Sequence, residues 1–256
     1  RPRLIAFALA VFVLASIIYR YAVPALVEVA VLVTPPVVPK MMSAGTLKTL
    51  DRVTFGPSKL LEAQQAEIRD DFTRITANAE GGAGRYHLNF RDGGLIGPNA
   101  FALPDGNLVL TDQLVELAGG DKEMITAVLG HEIGHVEYKH SLRQLYSAAG
   151  VAGLVLLIAG DVGSGVHDVL TQGGGLLALS YSRQAEAQAD RRSVELMLAA
   201  GKDPAALSRF FDLLEAKLDD HGDTSMLSTH PGTPERKQAI LDYARELKEK
   251  QARTGG

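Results

Sequence analysis

His131-Glu132-Ile133-Gly134-His135 is the stretch from which the fold of this chain is read. The residues around it, 121 to about 144, carry apolar side chains at helical spacing and predict one continuous amphipathic helix. Met124, Ile125, Val128 and Leu129 mark its apolar face, and Asp121, after Gly119-Gly120, can cap its start. Four residues make just over one helical turn, so His131 and His135 share a face and can hold one zinc ion, with Glu132 beside the open coordination position. A metalloprotease needs that arrangement. A solvated His/Glu face would show the same letters, so the reading turns on a third ligand.

The helix predicted over 184–200, with Gly201 as its stop and Asp203-Pro204 opening the next, supplies a candidate. Glu186 and Asp190 stand there at i and i+4, which puts both carboxylates on one face. Glu186 can therefore ligate zinc while Asp190 accepts a hydrogen bond from the non-ligating nitrogen of a ligand His. Ala185, Ala187 and Ala189 around them suggest close helix packing; a solvated acidic face is the plainer alternative. His140, five residues past His135, is rotated from it by ~140° on a continuous helix. That predicts a surface or helix-end His rather than a ligand.

Composition narrows the possibilities. The chain has 256 residues, 46% hydrophobic, with a net charge of −4 and no cysteine. The length suits one catalytic domain with its own core plus an appendage. The charge gives no electrostatic footprint for nucleic acid, which is excluded as a partner. Without cysteine there is neither a disulfide framework nor a thiolate site, so any zinc must be held by His and carboxylate. The chain opens on Arg1 rather than Met, as a piece of a longer protein would.

Residues 4–19 hold no charge, with Arg1, Arg3 and Arg20 flanking them and Tyr19 and Tyr21 at the far end. As a helix this run reaches ~24 Å against a hydrocarbon core of ~30 Å, a gap that snorkelling arginines and interfacial tyrosines can close. Ile18-Tyr19-Arg20-Tyr21 is too bulky for a small-x-small cleavage site, so a retained membrane anchor in contact with lipid is expected over a cleaved signal or a core helix. Residues 25–33, apolar except for Glu28, either continue along the lipid surface or begin the domain's core. The expected organisation is an anchor and juxtamembrane segment over 1–36 and a peptidase domain over 37–256. Arg1 and Arg3, set against Arg20, orient that domain to the periplasmic side of a bacterial inner membrane.

From Pro57-Ser58 a helical pattern follows, with Leu61, Ile68, Phe72 and Ile75 on one face. Tyr86, Leu88 and Phe90 then alternate with polar residues, the period of a half-buried strand, and runs over 99–103 and 108–111 joined by Pro104-Asp105-Gly106-Asn107 read as a hairpin. An edge strand beside a metal can pair with an extended peptide without reading its sequence; an ordinary sheet covering a helix has the same pattern. A short helix starts at Thr111-Asp112. The apolar run 148–160, the glycine-rich 161–175 and the apolar 176–179 read as a buried helix or as a lid or plug near the cleft. Two more helices start at Asp203-Pro204, with Leu207, Phe210, Phe211, Leu214 and Leu218 inward, and at Thr233-Pro234, with Ile240, Tyr243 and Leu247 inward.

His-Glu-Ile-Gly-His, then Tyr181-Ser182-Arg183 leading into Glu186-x-x-Ala189-Asp190, then Ser228-Thr229-His230-Pro231, preceded by Asn99-Ala100-Phe101-Ala102, resembles the membrane-associated zinc endopeptidases of the HtpX-like and BepA-like group. That family also includes the CAAX prenyl endopeptidase and the mitochondrial stress protease of overlapping activity. The resemblance covers about residues 57–244. It implies a zincin-like (gluzincin) domain, with His131, His135 and Glu186 as ligands of one zinc per chain and Glu132 as the base. It also implies that Asn99, Ala100, Phe101 and Ala102 belong to the substrate-facing strand and that His230, by itself an ordinary loop His, points at the active site as a donor to the oxyanion or substrate carbonyl. Gln188 departs from the Glu expected between the ligand and Asp190; pointing away from Glu186, it leaves the site intact. The two extra transmembrane helices of the heat-shock member are not evident in this sequence.

The sequence thus predicts a mostly helical α+β peptidase domain with a small sheet behind an N-terminal membrane segment, hydrolysing protein or peptide substrates in protein quality control. No feature specifies an oligomeric state. A membrane-tethered chaperone or assembly factor on a protease scaffold and an anchored zinc-binding module are the alternatives, and an intact Glu132 argues against both.

Overall fold

The structure is a computed structural model that describes residues 2–159, 180–218 and 229–254; the glycine-rich stretch 161–175, the apolar residues 176–179 and Ser228, with any lid or plug among them, lie outside the described residues. Helix α1 (Pro2–Ile17), a π-helical turn (Ile18–Ala22) and α2 (Val23–Val33) run on as one helix of 32 residues, long and apolar enough to cross a membrane. Pro24 explains the π turn: it brings no N–H to the ladder, and the Val23 N–H reaches back to the Ile18 carbonyl to bridge the gap. The helix is longer than the uncharged run because Tyr19, Arg20 and Tyr21 stay helical.

No residue of α1 is buried, whereas Val23, Val27 and Val31, four apart on α2, pack with Leu142. Arg143 clamps Glu28 through Nε and Nη2 at 2.7 and 2.8 Å, and the Thr34 hydroxyl meets that of Tyr146 at 2.7 Å. Residues 23–33 therefore bury one face in a cluster of their own with Leu142, while Leu26, Val29 and Leu32 stay exposed on the other. Helix α3 (Val37–Val53) follows, with Leu50 packed among Phe55, Phe101, Leu103 and Val109 behind the sheet.

Strands β1 (Gly56–Pro57), β2 (His87–Asp92), β3 (Ala100–Ala102) and β4 (Asn107–Thr111) make one sheet in the order β1-β2-β4-β3. β2 and β4 are parallel, with Leu88 opposite Leu108, and β3 and β4 form the expected antiparallel hairpin, with Phe101 opposite Val109. Gly106 turns the hairpin at φ +97°, a conformation in which a side chain would be strained. Tyr86, Leu88 and Phe90 face the core as their alternation predicts. Between β1 and β2, α4 (Glu62–Thr76) buries Ile68, Phe72 and Ile75; Leu61, expected on the same face, is the N-cap residue and 70% exposed. Thr111 ends β4 and caps α5 (Asp112–Leu117), accepting from the Leu114 N–H.

Helix α6 (Lys122–Glu137) carries the His-Glu-Ile-Gly-His stretch and starts where Asp121 accepts from the Glu123 and Met124 amides. It does not continue to residue 144 as the spacing predicts. Lys139 adopts φ +50°, the left-handed conformation that ends helices, and α7 (His140–Ala159) sets off in a new direction. Helix α8 (Arg183–Ala199), capped by Ser182, packs against α6 more extensively than any other described pair of helices meets. Helices α9 (Ala206–Leu218) and α10 (Pro234–Thr254) close the core, with Leu207, Phe210, Phe211, Leu214 and Ile240 buried as expected and Tyr243 and Leu247 packed at its margin.

Candidate metal centre

Two glycines bring the chemistry together. A Cβ at Gly134 would stand 2.9 Å from the Ala189 Cα, and one at Gly130 would stand 3.2 Å from the Ser193 hydroxyl, so α6 and α8 touch backbone to backbone. Their facing residues are those singled out from the sequence: His131, Glu132 and His135 on α6, Glu186 and Asp190 on α8, every one of them buried. The close helix packing suggested by the alanines is present at Ala189, which is fully buried.

His131 Nε2 and His135 Nε2 are 3.0 Å apart, and each lies 3.5 Å from an oxygen of Glu186. Zinc bonds of ~2.0–2.2 Å arranged tetrahedrally put their donor atoms roughly 3.3–3.6 Å apart. Both His–Glu distances fall in that range, and the His–His distance lies just below it. Two imidazole nitrogens this close repel unless a cation, proton or metal, sits between them. Glu132 Oε1 and Glu186 Oε2 are buried without a hydrogen-bond partner, although Glu186 Oε2 lies 2.8 Å from Arg236 Nη2, off the direction of an aligned bond. Among the described residues the cluster sets the carboxylates of Glu132, Glu186 and Asp190 against the guanidinium of Arg236, and a divalent cation would neutralise the surplus of negative charge.

The electrostatics agree. Burial opposes charge on His131, yet the carboxylates of Asp190 and Glu186 outweigh it and push the imidazole up to about 10. Burial drives His135 well below the usual imidazole range and holds it in the neutral form that ligates metals. Burial also raises Glu132, with His230 and His131 opposing it. Glu186 is held far below the carboxylate range by His131, His135 and His230 against the effect of burial.

Asp190 Oδ1 stands 2.9 Å from His131 Nδ1, the non-ligating nitrogen, and Arg236 clamps the same carboxylate through Nε at 2.8 Å and Nη2 at 2.7 Å. Arg236 also donates to the Pro231 carbonyl at 2.7 Å, which ties the His230 loop to α8. His230 is buried, its Nδ1 2.9 Å from Glu186 Oε1 and 3.3 Å from His131 Nε2, its Nε2 3.6 Å from Glu132 Oε1. The donor atoms of His131, Glu132, His135 and His230 fall within 4.8 Å of one another, as do those of His131, Glu186 and Asp190. Of these, the oxygens of Asp190 are engaged by Arg236 and Glu132 Oε2 by the Ala102 N–H at 3.0 Å, while Glu132 Oε1 and Glu186 Oε2 keep free capacity.

That Ala102 amide belongs to β3, the last strand of the sheet. The carbonyls and amides of Asn99 and Leu103 pair toward β4, so Ala100 and Ala102 turn their backbone to the other side, where Glu132 lies. The Asn99 side chain is buried with its Oδ1 unpartnered.

His140 departs from its expected place. The turn at Lys139 swings it back onto the cluster, 5% exposed, with Nδ1 2.8 Å from His135 Nδ1 and Nε2 3.1 Å from Gln188 Oε1. Burial lowers its imidazole to about 4. Tyr181 stacks on the His135 ring at 4.0 Å between centroids and bonds Ser141 through its hydroxyl at 2.9 Å. The sequence places His140 at the surface or a helix end, and Arg236 is not singled out in it. Arg236, six residues after His230 in one short segment, offered a signal; His140 offered none while α6 was read as unbroken.

Residues 62–244, more than half of the chain, match the profile of Peptidase family M48. The chain belongs to peptidase family M48. It shares 34% identity over 148 residues, 56% of this chain and 58% of the relative, with Metalloprotease LoiP of Escherichia coli (strain K12). With the Mitochondrial metalloendopeptidase OMA1 of Schizosaccharomyces pombe the figures are 30% over 157 residues, 60% and 45%. With the Beta-barrel assembly-enhancing protease of Yersinia pestis they are 28% over 194 residues, 68% and 38%. The match to this M48 chain thus spans about half the length of these curated relatives. The family read from the ordered motifs is borne out.

Proposed function

We propose that this chain is a zinc-dependent endopeptidase, held at a membrane by its N-terminal helix, that hydrolyses peptide bonds of protein substrates in protein quality control. The observation that carries the reading is the set of donor atoms of His131, His135 and Glu186, 3.0 to 3.5 Å apart, with the Glu132 carboxylate alongside. One zinc, held by these residues, supplies Lewis acidity that polarises the scissile carbonyl and acidifies a water molecule. Glu132, raised by burial, takes the proton of the attacking water and delivers it to the leaving amine. The backbone of Ala100 and Ala102 receives the substrate as an added strand, with Asn99 and Phe101 framing it, so binding depends little on sequence. His230, beside Glu186 and Glu132, donates to the carbonyl oxygen as charge develops there. Asp190 orients His131.

Residues 1–36 serve as the anchor and juxtamembrane segment and 37–256 as the catalytic domain. The printed names of the relatives, metalloprotease, metalloendopeptidase and protease, support the activity. For place we propose a bacterial inner membrane with the domain in the periplasm; protease added to spheroplasts should reach it, and a protected domain would put it in the cytoplasm. The activity is tested by Glu132→Gln. General-base catalysis contributes ~10² to 10⁴-fold, so casein cleavage should fall by at least the lower figure while zinc content stays at one per chain. Undiminished cleavage would refute the mechanism, and a wild type that suppresses aggregation without cleaving would make the protein a chaperone.

A further inference from the structure

The zinc-peptidase reading makes no use of His140, yet this imidazole is buried against His135 and has hydrogen-bond partners at both ring nitrogens. The geometry constrains where the protons sit. His135 turns Nε2 toward His131 and Glu186, so as a metal ligand it must keep that lone pair free and carry its proton on Nδ1. Nδ1 of His135 then donates across 2.8 Å to Nδ1 of His140, whose own proton must lie on Nε2, 3.1 Å from the oxygen of Gln188. The reverse order fails twice. It would place the His135 proton on Nε2, within the donor cluster, and set the lone pair of His140 Nε2 against an amide oxygen.

We propose that His140 is a positioning residue that accepts a hydrogen bond from the Nδ1–H of His135 and donates one from its own Nε2–H to Gln188 Oε1, a neutral chain that fixes His135 in the tautomer with Nε2 free for metal. Both rings are held for this. Tyr181 stacks on His135, Tyr138 stacks on His140 at 5.5 Å and 18°, and the left-handed Lys139 turns α7 so that its first residue faces the cluster. Gln188 acquires a role through the same chain. Its amide accepts without charge, so His135 stays a weaker electron donor than a carboxylate at 188 would make it. The inference rests on His135 being a metal ligand, as proposed above.

The full-length chain in detergent, titrated with zinc against a chromophoric chelator, tests it. Losing a partner of a ligand His typically costs 10- to 100-fold in metal affinity, and His140→Leu should show that loss. His140→Asn, whose Oδ1 takes the place of the ring Nδ1 as acceptor, should recover most of it. Gln188→Glu, at a partly exposed position, should bind zinc at least as tightly as the wild type, and Gln188→Leu more weakly. Ring ¹⁵N shifts of wild-type His135 should report a proton on Nδ1. Equal zinc affinity for the Leu and Asn variants at 140, or weaker binding by Gln188→Glu, would overturn the inference while leaving the enzyme reading in place. Should His140→Leu fail to fold, the two variants at 188 decide. A wild type that binds no zinc would instead overturn the reading of the site itself.

Discussion

Gly134→Ala sets the contact between the two helices that carry the candidate ligands against their chemistry. The added Cβ would meet the Ala189 Cα at 2.9 Å and the Ala189 carbonyl and Arg192 Cβ at 3.2 Å. Carbon atoms rest ~3.5–4.0 Å apart, so α6 and α8 must separate by ~0.6–1.1 Å at this point. Two energies oppose one another. Alanine is favoured over glycine inside a helix by ~0.5–1 kcal/mol, and overpacking costs ~1–3 kcal/mol, which leaves a net loss of ~0–2.5 kcal/mol. At ~2–4 °C per kcal/mol for a domain of this size, the melting temperature should drop by less than ~10 °C. Function should suffer far more. His131 and His135 flank Gly134 on one helix and Glu186 flanks Ala189 on the other, and metal bonds tolerate only ~0.2 Å of displacement. A misplacement of ~1 Å costs ~10²-fold, so zinc retention by metal analysis and casein cleavage should both fall by about that factor. Gly130→Ala, whose Cβ meets the Ser193 hydroxyl at 3.2 Å and the Ser193 Cα only at 3.4 Å, should do less. A folded Gly134→Ala protein with wild-type zinc content and activity would refute the claim that this contact spaces the ligands.

Further outcomes follow from the same geometry. Glu186→Ala should lose zinc more completely than Asp190→Ala, because the first removes a donor and the second only the orientation of His131; equal retention on metal analysis would reverse the two roles. Arg236→Leu leaves the Asp190 carboxylate buried without its clamp and should cost ~3–5 kcal/mol in denaturant unfolding, and a loss below ~1 kcal/mol would show the pair to be dispensable. Chelation should lower the melting temperature and zinc should restore it, since a ligand at 100 times its Kd adds ~2.7 kcal/mol to the folded state; an apo form as stable as the loaded one would argue against a preformed site.

Much of this was legible in the sequence because it depends on period. The i, i+4 spacings of His131 with His135 and of Glu186 with Asp190 placed each pair on one face, and the alternation of Tyr86, Leu88 and Phe90 placed a strand. What period cannot express is a break in it. Nothing about Lys139 marks it for a left-handed turn, so the helix is predicted to run on to about residue 144, into the start of α7, with His140 on the wrong face. Contacts across sequence were equally hidden: Arg236 lies 46 residues from Asp190 and Arg143 lies 115 from Glu28. Leu61 shows the opposite error, a residue in phase with its neighbours that falls one position outside the helix.

The seam between α2 and α7 bears on mechanics. A flexible linker of ten residues would let a tethered domain wander ~16–19 Å. Here Val23, Val27 and Val31 pack with Leu142, and Glu28 is clamped by Arg143, so the N-terminal helix is seated directly on the start of α7 with no linker between them. A helix of that length answers a thinner bilayer by tilting. With α1 in a bilayer, such a tilt would travel along α2 to α7, whose first residue touches the His135 ring. Lipid thickness would then become a mechanical input to the metal centre, delivered through a lever rather than through a ligand.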